Sequence, residues 1–277
     1  MAAYDLDPET LTMDVAAARA LGAGKASAYQ SAEPYNYGSI DGFLPEAVLR
    51  RVKEEIATLP EPEGAFDRAQ ERLKTSYNPE RLPLYTRSLF HALNAPAFLA
   101  FLHEMTGIEN LIPDPYFVGA GIHRVANGGH LDIHADFNLH GQMQVERRLN
   151  VLIYLNDDWR EEWGGSFEIW DKAMENKVAS FVPIFNRMVC FSTGSDTFHG
   201  NPATVANPNG EPRLSIALYY YTATWDETRK SHTTLFKPRP GTADKVDWAV
   251  KRQAIARDVL PPAIYRRVAG KLHRLGF

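Results

Sequence analysis

From residue 116 to residue 221 the chain is a succession of short β-type runs, at 116–125, 131–135, 149–155, 166–170, 188–191 and 214–222. Each is rich in β-branched or aromatic residues and bounded by turn formers. Short strands at this spacing indicate a sandwich or barrel, because each must cover an apolar face with a second layer. Helical periodicity stands on both sides of the block. Asp7-Pro8 is a start signal for a helix through Leu11, Val15, Ala18 and Leu21, with Gly22 as its stop. Leu44-Pro45 opens a second, in which Val48, Leu49, Val52, Ile56 and Leu59 form an apolar stripe ended by Pro60. That stripe predicts packing on a sheet. A third helical stretch runs to about Thr106, with Pro96 near the start of its final segment and Gly107 as stop. The polar stretch 60–83 predicts a long loop of the kind found at site mouths, and 244–259 and 262–275 predict helices on either side of Pro261.

With 277 residues, the whole predicts one domain over 1–277: a helical N-terminal region over 1–110, a β core over 111–225 and a helical extension over 226–277. Hydrophobic residues at 44% and charged residues at 23% exclude disorder and fibrous repeats. A net charge of −4 argues against a nucleic-acid partner. The final segment is locally basic, with Lys251, Arg252, Arg257, Arg266, Arg267, Lys271 and Arg274, which reads as a solvated helix face. Cys190 is the sole cysteine, which rules out an internal disulfide and a cysteine zinc site. No run approaches the ~20 apolar residues of a membrane span, and the start lacks a leader pattern, so the expected location is the cytoplasm.

The segment His130-Leu131-Asp132-Ile133-His134-Ala135-Asp136 holds two overlapping His-x-Asp pairs within a β-type run. Residues two apart on a strand share a face, so either pair can chelate one ion, and periodicity alone does not choose between them. His199, just before a turn and the last strong strand, is the best third ligand. Two histidines and a carboxylate leave open positions on a metal, as a non-haem iron(II) oxygenase requires. Arg213 and Ser215 share a face at the start of the last run, where a guanidinium fork matches a carboxylate.

These residues resemble the iron(II)- and 2-oxoglutarate-dependent dioxygenase superfamily, and more closely its prolyl 4-hydroxylase-like branch. The likeness extends from about Phe43 to Thr222, and its most specific stretch is 147–165. There Tyr154-Leu155-Asn156-Asp157-Asp158-Trp159, followed by Gly164-Gly165, looks like the corresponding strand and loop of hypoxia-type prolyl hydroxylases. The resemblance implies a double-stranded β-helix, or jelly-roll, core in a β-rich α+β fold with N-terminal and C-terminal helices packed around it. It selects His134, Asp136 and His199 as the iron ligands, and assigns Arg213 and Tyr154, with Ser215, to the distal carboxylate of 2-oxoglutarate. Where the family often has a tyrosine ahead of the His-x-Asp motif, this chain has Arg124 or, with a small shift, His123.

The cofactors so implied are iron(II) and 2-oxoglutarate, with ascorbate as an accessory reductant. Oxygen and a small-molecule or peptidyl substrate are the other partners. Hydroxylation of a prolyl, amino-acid-like or natural-product substrate is the implied outcome, with release of succinate and carbon dioxide. Related halogenases have a small residue at the position of Asp136, so the carboxylate here disfavours halogenation. Two other classes use the same residues: a jelly-roll ligand-binding protein without turnover, and a zinc hydrolase. The site's lip is expected at 64–79, 138–147 and 159–163.

Overall fold

The computed structural model describes residues 2–60, 66–225, 231–242 and 244. Among the described residues four α-helices lie in the N-terminal part, interleaved with its first strands: α1 (Val15–Gln30), α2 (Glu46–Ala57), α3 (Leu84–Ala92) and α4 (Pro96–Thr106). The first starts later than the Asp7-Pro8 signal predicts. Asp7 instead caps a turn, accepting from the amides of Glu9 and Thr10 at 2.9 and 2.7 Å, and Asp14 is the true N-cap, accepting from the amide of Ala17 at 2.8 Å. Nor does Gly22 stop the helix. It lies within α1 against α4, where a Cβ would stand 2.3 Å from the Phe101 carbonyl oxygen, so this glycine marks close packing. The predicted stripe of α2 is realised, with Val48, Leu49, Val52 and Ile56 buried. The third stretch is two helices, the second ending at Gly107 with a φ of 71°.

The strands are β1 (Tyr37–Ile40), β2 (Phe66–Arg68), β3 (Glu71–Tyr77), β4 (Ile112–Pro113), β5 (Gly121–Ala135), β6 (Leu139–His140), β7 (Val145–Tyr154), β8 (Phe167–Trp170), β9 (Lys177–Phe181), β10 (Met188–Ser192), β11 (His199–Asn201), β12 (Arg213–Thr222) and β13 (Leu235–Phe236). Their main order is β1-β10-β7-β12-β5-β11-β8-β9. Phe191 on β10 and Phe167 on β8 stand far apart in that order, yet their ring centroids are 4.9 Å apart. The sheet therefore curls until its halves face each other, giving a double-stranded β-helix.

The bend is concentrated in β5, whose residues 121–125 pair with β12 while 131–134 pair with β11. Gly128, at φ 83°, turns the strand, and Gly129 leaves no room for a side chain, with Val125 Cγ1 2.7 Å from where a Cβ would be. Two predicted runs, 116–125 and 131–135, are thus largely one folded strand. The 60–83 stretch is also more than a loop. It contains β2 and β3, and β3 pairs with β5 from Glu71 opposite Leu131 to Tyr77 opposite Ile122. Its polar residues disguise it, because β3 lies at the rim of the sheet with only the short β2 beyond it, where there is little apolar surface to bury.

Alternation along β7 and β12 separates structure from site. Leu149, Val151, Ile153, Ile216, Leu218 and Tyr220 pack outward in one core with Val48, Leu49, Phe98 and Phe101 of the helices. Asn150, Leu152, Arg213, Ser215 and Tyr219 face inward and line a chamber inside the curled sheet. Among the described residues no helix is long and apolar enough to cross a membrane. The predicted C-terminal helices, with their basic residues, lie outside the described residues apart from Asp244.

Candidate active site

At one end of the chamber β11 sets His199 directly opposite His134 of β5, and Asp136 follows just past the end of β5. Directly opposite residues of paired strands project to the same face, so both rings enter the chamber. Their Nδ1 atoms donate to backbone carbonyls, His134 to Asp132 at 2.8 Å and His199 to Thr197 at 3.0 Å. This leaves Nε2 as the donor atom turned inward. Nε2 of His134 is 3.6 Å from Asp136 Oδ1, and Nε2 of His199 is 3.2 Å from Oδ2. One ligand atom from each of the three residues can be chosen so that all lie within 4.8 Å of one another. Ligands at ~2.0–2.2 Å from a shared ion have about these separations.

Asp136 is held by a frame that sequence reasoning missed. Asn150 donates to its Oδ2 at 2.7 Å, and the Arg147 guanidinium pairs with the same oxygen at 3.1 Å while donating from Nε to Asn150 at 2.9 Å. Arg147 is only 2% exposed, with the rings of Tyr219 and Phe137 at 3.6 and 4.3 Å from its guanidinium carbon. Burial alone would raise the Asp136 pKa, but the charges of Arg147 and His199 outweigh it, with hydrogen bonds from both histidines, and hold it well below the usual carboxylate range. Arg147 opens the strand that also carries Tyr154. A cation in an otherwise inward-facing or apolar β run was the available signal.

Close approach of β11 to β5 depends on Gly200, where a Cβ would lie 2.7 Å from the Asp132 carbonyl oxygen. Gly200→Ala should therefore displace β11, lower stability by about 1–3 kcal/mol and weaken divalent-ion binding. Chemical denaturation and Mn(II) titration check both effects. Wild-type values for each would show that β11 tolerates the shift.

Arg213 is buried in the chamber wall. Its Nε donates to the Gly165 carbonyl at 2.7 Å and Nη2 to the Tyr154 hydroxyl at 3.3 Å, yet among the described residues no carboxylate lies within ion-pair distance. Burial pulls the guanidinium below its ordinary pKa, and Tyr154 opposes this. Ser215 faces Tyr154 on β7 and His123 on β5 across the sheet, so the three residues predicted for the distal carboxylate do come together. Arg124 does not join them. It pairs opposite Leu214 and Thr75 on the reverse side of β5, whereas His123 lines the chamber, because alternate residues of a strand face opposite ways. His123 donates to the Gly119 carbonyl at 2.9 Å, and burial, reinforced by Lys74, lowers its pKa to about 3.

His130 and Asp132 stand apart from the chamber, His130 meeting the Ala69 carbonyl at 3.2 Å and Asp132 at 3.5 Å. The register shift between His199 and Asn201 along β11 breaks the alternation that made the two His-x-Asp pairs equivalent. An outer cavity of about 420 Å³ opens on His134 and Asp136. Its lip includes β3 and Phe137 and Arg147, near the predicted 64–79 and 138–147, but 159–163 contributes none of it. Trp159 and Trp163 pack instead with Val125 and Val205. Thr233, Thr234 and Phe236 complete the wall, brought there by β13 pairing with β5 at His134 and Ala135.

Residues 120–221, which contain every one of these inward-facing strands except β3 and β13, match the model of the 2OG-Fe(II) oxygenase superfamily. Residues 120–221 thus carry that superfamily's pattern. The fold of this oxygenase is also that of solved prolyl hydroxylases. One from Trichoplax adhaerens, in complex with a hypoxia inducible factor oxygen degradation domain peptide fragment, superposes with a TM-score of 0.53 at 18% identity, over 74% of this chain and 90% of its own. A structure of prolyl 4-hydroxylases from Phytophthora capsici gives 0.52 at 16% identity, over 78% of this chain and 68% of its own. No curated protein matches the sequence. Iron(II) and 2-oxoglutarate are the cofactors of this oxygenase, and the donor set fits them: nitrogen and oxygen donors at one end of the chamber, a buried unpaired guanidinium in the same chamber.

Proposed function

We propose that this oxygenase hydroxylates an unactivated C–H bond of a prolyl, amino-acid-like or natural-product substrate, consuming 2-oxoglutarate and oxygen and releasing succinate and carbon dioxide. In this reading His134, Asp136 and His199 hold iron(II), while Arg213, with Tyr154 and Ser215, holds the distal carboxylate of 2-oxoglutarate. The observation that carries it is the buried Arg213, with no acidic partner among the described residues, sharing one chamber with the His-Asp-His cluster. An unpaired buried charge costs several kcal/mol, so a fold retains one where a ligand supplies the counter-charge. A molecule with a chelating 2-oxo acid at one end and a second carboxylate at the other answers both ends of the chamber.

Iron(II) with 2-oxoglutarate supplies the oxygen activation needed to break a C–H bond. The chain's own role is placement and exclusion of water. Leu152, Phe167 and Phe191 wall the inner chamber, and the Asn150 and Arg147 frame keeps the Asp136 carboxylate ionised and oriented. The outer cavity is of a size usual for small-ligand sites. Its mixture of Lys74, Glu71 and several hydroxyls with Leu131, Phe137 and Phe236 suits an amino-acid-like substrate with both polar and apolar groups. The free, buried Cys190 is consistent with a reducing compartment, and the cytoplasm is the proposed location.

Succinate formation, followed with added iron(II) and 2-oxoglutarate across prolyl peptides, free amino acids and small natural products, tests the reading. Succinate should require both cofactors and rise with the true substrate. If 2-oxoglutarate bound tightly but no succinate formed with any of them, the protein would be a binding module. Hydrolysis dependent on zinc, without 2-oxoglutarate binding, would favour the hydrolase.

A further inference from the structure

Asn201 lies in the wall of the inner chamber, two residues beyond His199 on β11. It is 4% exposed, its Nδ2 is fully buried without a partner, and its side chain hydrogen-bonds to no described residue. A buried amide left unsatisfied costs about 1–3 kcal/mol, and native folds rarely keep one without a reason. Four other polar side chains of the chamber are occupied. His134 and His199 spend Nδ1 on carbonyls, Asn150 is committed to Asp136 and Arg147, and His123 donates to Gly119. Asn201 cannot easily turn away either, since Gly200 beside it is pressed onto the Asp132 and Leu131 carbonyls.

We propose that Asn201 donates a hydrogen bond to an oxygen of 2-oxoglutarate, as a second anchor beside Arg213. This rests on the reading that the chamber takes that molecule. The amide serves where a lysine or arginine would not, because it adds a donor without adding positive charge next to the cation site. It is a positioning residue that acts in binding, before any chemistry.

The test is calorimetric titration of 2-oxoglutarate into the full chain loaded with Mn(II), which gives a binding constant without turnover. Asn201→Ala should raise the dissociation constant about tenfold, the size of one charge-assisted hydrogen bond partly lost. Asn201→Asp should raise it further, since a carboxylate would face a dianion. Mn(II) affinity of the alanine variant should stay within about twofold of wild type. Asn201→Leu separates this from a structural role: the metal-free protein should unfold at the same temperature as wild type or higher, because an unpaired buried amide is gone, while 2-oxoglutarate affinity falls. Alanine and aspartate variants that bind 2-oxoglutarate as wild type does, with Arg213→Ala still losing it, would overturn the role of Asn201 alone. Wild-type protein that fails to bind 2-oxoglutarate at all would overturn both readings. A lower unfolding temperature for the leucine variant with unchanged affinity would make Asn201 a structural residue.

Discussion

His134→Ala and His199→Ala will each abolish turnover and weaken iron binding by orders of magnitude, whereas His130→Ala will keep most of both. The contrast follows from geometry: His134 and His199 face each other across β5 and β11 with Nε2 turned toward Asp136, and His130 points to the Ala69 carbonyl. Losing one of three protein ligands removes a first bond to the ion and opens its coordination to water. Asp136→Ala will also eliminate hydroxylation, with an added cost to folding. It strands the buried Arg147 guanidinium, and breaking such a pair typically costs about 3–5 kcal/mol. Asp136→Asn keeps the shape and a hydrogen-bond acceptor for Arg147, so it should fold better while still failing to hold iron. Iron content and succinate release, measured together on each variant, check the assignment. A dead His130 variant beside a working His134 variant would overturn it, as would near-normal iron content and hydroxylation in Asp136→Ala.

Arg213→Ala will raise the apparent Michaelis constant for 2-oxoglutarate by at least about tenfold and leave metal affinity little changed. Removing one partner of a buried charged pair costs ~2–5 kcal/mol, and ~1.4 kcal/mol is already one decade. Lysine should recover some of the loss, because it keeps the charge and lacks the planar fork that also reaches the Gly165 carbonyl and Tyr154 hydroxyl. Tyr154→Phe should show a milder defect in the same parameter, its hydroxyl being a 3.3 Å partner of Nη2. Titration of 2-oxoglutarate at saturating iron(II) reads all three. If Arg213→Ala bound 2-oxoglutarate as wild type does and lost iron or the prime substrate instead, the orientation of 2-oxoglutarate in the barrel would have to be reversed.

Local rules sufficed wherever a residue's role depends on its near neighbours in the chain. The shared face of Arg213 and Ser215 was legible because period two puts both on the inner side of β12, while Ile216, Leu218 and Tyr220 take the helix-covered one. The stripe of α2 was legible for the same reason at period 3.6. Asp7 and Gly22 misled because a turn cap and a helix-packing glycine use the same residue types as helix ends.

The sequence by itself determined the class of chemistry: a His-x-Asp pair, a later histidine and an arginine at the head of the last strand are the donor types that iron and a dicarboxylate need. Only the tertiary structure brought one of the two pairs into the chamber, since the bend at Gly128 and the irregular register of β11 turn His134 and Asp136 inward and leave His130 and Asp132 outside. It alone brought Arg147 and Asn150 onto Asp136, put His123 rather than Arg124 in the chamber, and carried Thr233, Thr234 and Phe236 to its mouth. The physical reason is that these contacts join segments distant in the chain or cross a break in strand periodicity. Their energies depend on burial and pairing in three dimensions, which no residue's local propensity encodes.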